Sequence, residues 1–161
     1  MTEQVKEALP AVRQSITVAA SQSLAFEVFT RRLGEWWPRE YSIGATEMAD
    51  FVIQPRNGGR WYEVGVDGAE CDTGRVTAYE PPDRLVLAWH LDGRWAFDPD
   101  PDHASEVEIR FIPEGDGRTR LELEHRHFER HGDGAYAVRE AVASRGGWGH
   151  CFAAYDKLLS A

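Results

Sequence analysis

The chain is short of cysteine: among 161 residues only Cys71 and Cys151 occur, far apart and without a Cys-x-x-Cys spacing. A disulfide framework and a thiol zinc knuckle are therefore excluded, and the expected state is two free thiols in a reducing cytosol. Basic residues are also scarce. Eighteen Lys and Arg stand against 27 Asp and Glu, a formal charge of −9 with pI near 5.1. That balance argues against a nucleic-acid groove or an anionic membrane surface, both of which need a basic patch. No apolar run approaches the eighteen or so residues of a membrane span. The first twenty residues, MTEQVKEALPAVRQSITVAA, lack the basic start and unbroken apolar run of a secretory signal. A cytoplasmic location is the expectation. Nucleophile elbow, phosphate loop, dinucleotide-binding glycines and zinc-finger spacing are all missing. Asp98-Pro-Asp-Pro-Asp102 imitates the start of a calcium loop, but His103 replaces the turn glycine and Ile109 the bidentate glutamate. No metal and no cofactor are expected, and nothing in the chain names a reaction.

What the chain does have is aromatic residues: six Trp, seven Phe and five Tyr. One domain of this length buries roughly 68–70% of the surface of its unfolded chain, and these rings suffice to line an interior. Arg13–Ala19 alternates and reads as a strand. Ser21 caps a helix that runs to about Leu33 through Phe26 and Phe29, with Gly34 as its stop and Pro38 forbidding continuation. From 50 to 130 the period falls to two. Strands are expected at 50–54, 59–66, 70–80, 84–92, 105–113 and 118–129, joined by tight turns such as Asn57-Gly58-Gly59 and Glu114-Gly115-Asp116-Gly117. Strands joined this closely are antiparallel. Helical spacing returns over Ala135–Ser144, breaks at Gly146-Gly147 and resumes from Trp148 to Leu159. The expected fold is α+β, a curved antiparallel sheet around the terminal helix. Alternation turns Leu85, Leu87 and Trp89 inward, with Val107, Ile109 and Phe111, and Leu121, Leu123, His125 and His127. Trp148, Phe152, Tyr155 and Leu159 face them at helical spacing.

Five stretches in order, ITVAASQSLAFEVFTRRLGEWWP, GGRWYEVGVDG, GRVTAYEPPDRLVLAWHL, EVEIRF and GGW before the last helix, resemble the START-like (SRPBCC) superfamily. Within it they are similar to the branch named for the C-terminal domain of the activator of the Hsp90 ATPase. The likeness covers about residues 13–160. It implies a helix-grip domain over 13–161 behind a flexible tail of residues 1–12, with an internal cavity between sheet and terminal helix. It also implies a small hydrophobic molecule as partner, and cyclisation or dehydration chemistry in a minority of members. The co-chaperone role of the branch's namesake is not expected, because only about a dozen residues precede the first strand. Homodimer formation is left open.

Several residues are candidates for that cavity. Trp36 and Trp37 are adjacent, so their rings must diverge, one into the core and one toward an opening. The resemblance places this turn near the cavity mouth. Trp61 and Glu63 share a strand face; a carboxylate against apolar walls suits a general acid or base, and a structural Glu paired with Arg75 is the simpler reading. His125 and His127 lie two apart on one face and could hydrogen-bond a ligand, hold a metal or form a structural pair. Trp95 and Phe97 form either a lid or ordinary loop packing. The expected ligand-binding set is Trp36, Trp37, Trp61, Glu63, Trp89, His125, Trp148, Phe152 and Tyr155, with Glu63, His125 and Tyr155 as its polar groups. The leading expectation is binding without turnover, with a cyclase or dehydratase as the alternative.

Overall fold

A computed structural model describes residues 9–160. Seven strands form one antiparallel sheet: β1 Val12–Val18, β2 Met48–Ile53, β3 Arg60–Gly65, β4 Glu70–Glu80, β5 Arg84–Trp89, β6 Ser105–Pro113 and β7 Thr119–Arg126. Their spatial order is β1-β7-β6-β5-β4-β3-β2. Strands two to seven follow one another as a meander, and β1 closes on β7 with Ile16 opposite Leu121. The first two strands thus lie at opposite edges, and the chain between them must cross a face of the sheet. Helices α1 (Gln22–Arg31) and α2 (Leu33–Trp36) make that crossing; α3 (Ala135–Ala143) and α4 (Trp148–Ser160) follow the last strand.

The alternation translates directly into burial. On β6, Val107, Ile109 and Phe111 are buried to 2% exposure or less, as are Leu121, Leu123 and His125 of β7 and Leu85 and Leu87 of β5. These residues meet Phe26, Phe29, Phe152 and Tyr155 from the helices in one continuous core. Phe29 sits at its centre, edge-on to Phe111, Phe152 and Tyr155. The Tyr155 hydroxyl satisfies itself by donating to the Ala25 carbonyl at 2.6 Å. Sheet and helices together form the helix-grip arrangement.

Several boundaries differ from the sequence reading. Ser21 caps α1 as expected, its hydroxyl accepting from Leu24 N. The helix ends at Arg31, however, and Gly34 lies inside α2. Gly34 serves close approach there: a Cβ would stand 2.3 Å from Asp50 Oδ1 and 2.7 Å from Phe51 N of β2. Strand β7 stops at Arg126 because His127 takes a left-handed conformation (φ 66°) and opens a 3-10 segment, Phe128–Gly134. His127 therefore leaves the inward face that His125 keeps. The first eight residues of the expected tail lie outside the described residues; Leu9 packs on the core and Val12 opens β1.

Candidate functional site

Between the inner face of β2–β5 and the junction of α3 with α4 lies a cavity of about 600 Å³. Aromatic rings from widely separated parts of the chain form most of its wall. Trp37 is the C-terminal cap of α2, in extended conformation (φ −62°, ψ 131°), whereas Trp36 is still helical. The residue before a proline is driven out of the helical region, so Pro38 sends the two rings apart. Trp36 turns into the core, where Nε1 donates to the Val28 carbonyl at 3.2 Å and the ring packs on Phe29 and Tyr155. Trp37 lies against Phe51 and Trp148 on the cavity wall.

The sheet supplies the floor. Phe51 of β2 stacks on Trp61 of β3 at 5.8 Å, and Trp61 meets Trp89 of β5 edge-on at the same separation. Trp89 continues the series to Trp148, at the start of α4. Gly74 makes the floor dense: a Cβ there would meet the Ala88 carbonyl at 1.9 Å and the Trp61 ring at 3.0 Å. At the mouth, the Asp92 carboxylate accepts from Arg94 N and Ala96 N and shapes a tight turn. That turn carries Trp95, left-handed (φ 63°) and 43% exposed, edge-on to Trp89. Phe97 points elsewhere, stacked on His90 and beneath the Arg75 guanidinium.

Glu63 is the charged residue of the inner wall, 3% exposed. Its carboxylate accepts from Ser42 Oγ at 2.7 Å and from Ile43 N at 2.8 Å. Arg75 does not reach it but pairs with Asp72. Burial, and then the negative Glu63 beside it, pushes the Cys71 thiol up, and burial pushes Cys151 up to about 12. Both thiols are protonated at neutral pH, so neither serves as a nucleophile.

His125 lies behind the wall in a hydrogen-bonded chain whose first two links are directed by chemistry. An indole N–H can only donate, so Trp148 Nε1 donates to His125 Nδ1 at 3.1 Å. The imidazole proton must then sit on Nε2, which meets Ser105 Oγ at 2.8 Å. Ser105 Oγ also meets His131 Nε2 at 2.8 Å. Both imidazoles are neutral in this chain. Burial drives His125 well below the usual histidine value, and drives His131 down to about 4.

Of the nine residues expected at the cavity, five form its wall: Trp37, Trp61, Glu63, Trp89 and Trp148. The other four do not. Trp36, Phe152 and Tyr155 face the core around Phe29, since α4 presents only its first turn to the cavity, and His125 is screened by Trp148. Sequence reasoning missed Ser42, Thr73 and Arg94. Thr73 is the extra residue of a β-bulge, between Trp61 opposite Gly74 and Tyr62 opposite Asp72. A bulge breaks the alternation; the glycine inside a strand pattern is the signal for it. No group of three or more metal-ligating side chains gathers among the described residues. No helix among them is long and apolar enough to cross a membrane.

Comparison with known proteins covers nearly the whole chain. The family model for Activator of Hsp90 ATPase homolog 1-like protein matches residues 19–160. Among solved structures, the chain is similar to Txn09, an anthrahydroquino-gamma-pyrone synthase. They share 40% identity over 96% of this chain and 99% of that one, with TM-score 0.67. It is also similar to CalC, a self-sacrificing resistance protein from Micromonospora echinospora, at 33% identity, 94% coverage of each chain and TM-score 0.70. Protein NE0264 from Nitrosomonas europaea, 18% identical over 93% of this chain and 94% of that one with TM-score 0.63, shares the fold. No curated protein matches.

Proposed function

The chain belongs to the family of Activator of Hsp90 ATPase homolog 1-like proteins, and we propose that it binds a small, flat, mostly apolar molecule in the cavity behind Trp37. One observation carries this reading: Trp37, Phe51, Trp61, Trp89 and Trp148 border a single space of about 600 Å³. Ligand pockets typically measure about 300–1,000 Å³ and combine apolar walls with a few orienting polar groups. Glu63 is such a group, and Trp37, Trp61, Trp89, Trp148 and Glu63 are the proposed binding residues. The likeness to Txn09, named for a fused aromatic product, supports a flat guest. Free Cys71 and Cys151 support a reducing cytoplasm as its place.

The test is titration with 1-hydroxy-9,10-anthraquinone followed by tryptophan fluorescence, alongside native mass spectrometry of protein purified from its own cytosol. Saturable quenching that Trp37→Ala weakens supports the reading; absence of quenching together with no co-purifying small molecule sinks it.

A second reading, a cyclase using the same pocket, has its own support. Glu63 is a buried carboxylate on the cavity wall held by a hydroxyl and an amide, placed to take a proton from a guest hydroxyl. A Glu63→Gln variant that keeps guest affinity but loses turnover would establish it. Equal turnover in the variant would remove it.

A further inference from the structure

Two hydrogen-bonding groups in the cavity wall have no partner among the described residues: Trp61 Nε1 and Thr73 Oγ1. Their residues are 1% and 3% exposed. The neighbouring indoles are satisfied: Trp89 Nε1 donates to the Leu91 carbonyl at 3.0 Å, and Trp148 donates to His125. Each buried polar group left unpaired carries a desolvation penalty that a partner would relieve. The residues that carry the two groups are also neighbours in the sheet register. Trp61 pairs with Gly74, and the bulge sets Thr73 next to that pair.

An indole N–H can only donate, and a hydroxyl can donate as well as accept. The one kind of atom that satisfies both groups is an acceptor. Its charge is restricted by Glu63, which shares the inward face of β3 with Trp61. An anionic acceptor beside that carboxylate would meet like-charge repulsion in a water-poor site, while the nearest wall cation, Arg94, stands exposed at the mouth. A neutral carbonyl oxygen has the required lone pairs and no charge. We infer that the guest is a carbonyl compound, an aromatic ketone or quinone, whose C=O oxygen accepts from Trp61 Nε1 and Thr73 Oγ1. This rests on the apolar-guest reading above and gives that guest its orientation.

The experiment compares 1-hydroxy-9,10-anthraquinone with 1-hydroxyanthracene, which has the same three-ring outline and hydroxyl but no carbonyl. Both are titrated by fluorescence into the intact chain and its Thr73→Val and Thr73→Ser variants. The quinone should bind at least about fivefold tighter than the anthrol. Thr73→Val should shrink that preference by about the same factor, as expected for one neutral hydrogen bond, and Thr73→Ser should restore it. The unliganded Thr73→Val variant should melt no lower than the parent, because it loses an unpaired hydroxyl at nearly constant volume. Equal binding of the two probes, or an unchanged preference in Thr73→Val, overturns this proposal and leaves the apolar-guest reading standing. A fall of several degrees in the Thr73→Val melt, rescued by serine, shows that the hydroxyl is already paired and also overturns it. Failure of both probes to bind a normally folded protein overturns this proposal and, with no co-purifying small molecule, the apolar-guest reading as well.

Discussion

Trp36 and Trp37 have the same side chain, yet their neighbours differ enough that truncation should give opposite profiles. Trp36 is enclosed by Phe29 and Tyr155 with its N–H satisfied. Trp36→Ala should therefore cost about 3–5 kcal/mol in a denaturant melt, as truncation of a buried aromatic does. Trp37 has protein on one side and the cavity on the other, so Trp37→Ala should cost less, about 1–3 kcal/mol. It should also weaken the anthraquinone probe by about 1–3 kcal/mol of contact. Equal stability losses with unaltered probe binding would make both rings core packing. The divergence of the pair was legible in adjacency alone. That Trp37 is the one to leave the helix was also written in the sequence, since only Trp37 precedes a proline; which ring goes inward was not. The assignment of Phe152 and Tyr155 to the cavity went astray for another reason. Helical spacing shows that Trp148, Phe152 and Tyr155 share a face of α4, but not how far along the helix the cavity extends.

At the scale of elements, Gly34 shows how a residue chosen for contact imitates one chosen for chain reversal. A glycine after a helical pattern reads as a C-terminal stop, and here α2 runs through it while pressed against β2. Gly34→Ala sets two effects against each other. Alanine is favoured over glycine in a helix by about 1 kcal/mol. Against that, its Cβ would lie 2.3 Å from Asp50 Oδ1 and 2.7 Å from a backbone nitrogen of β2. The carboxylate can rotate only by giving up its bond from Phe51 N, and the strand backbone cannot move without its neighbours. Overpacking of this kind costs about 1–3 kcal/mol, so the variant should be less stable than the parent. It should also disturb Trp37 through the shift of α2. An increase in stability would show that α2 stands off the sheet. The end of β7 misleads in a similar way: alternation continues through His127, but burying Phe128 against the His125 ring needs a left-handed turn. Periodicity carries no record of such a turn.

At the scale of the whole molecule, the sheet was legible because most strands alternate and most connections from β2 to β7 are short, the long loop from Trp89 to Ser105 being the exception. The pairing of β1 with β7 was not, because it joins opposite ends of the chain. The pairing of β6 with β7 brings Ser105 and His125 together, His131 and Trp148 join them from beyond the sheet, and the cluster makes stability depend on pH. His125 cannot charge without placing a proton between Nδ1 and the Trp148 N–H that points at it. Burial also lowers His90, whose ring nitrogen lies 2.8 Å from the Asp98 carbonyl. For His131, burial outweighs the opposing influence of Asp92 and Asp98, with His90 and His103 reinforcing it. In the unfolded chain these histidines take up protons near pH 6.5. Between that value and about 4 the unfolded state binds protons that folded His131 refuses, so the folded state loses ground as pH falls. The loss approaches about 1.4 kcal/mol per pH unit for each histidine that stays neutral. His103, beside Asp98 and raised in the folded state, opposes the trend from an exposed position. Unfolding midpoints should accordingly be level near pH 7–8 and fall steeply from pH 6.5 toward 4. Glu108 extends the fall to lower pH. Burial would raise its carboxyl, but bonds from Arg84 and Arg126 prevail and lower it, so its contribution is lost only as it protonates. His131→Gln keeps a hydrogen-bonding partner for Ser105 but cannot titrate, and should flatten the slope above pH 4 by about one proton's worth. A slope identical to the parent's would mean that folded His131 takes up its proton as readily as in the unfolded chain, and the burial-lowered value of His131 would have to be abandoned.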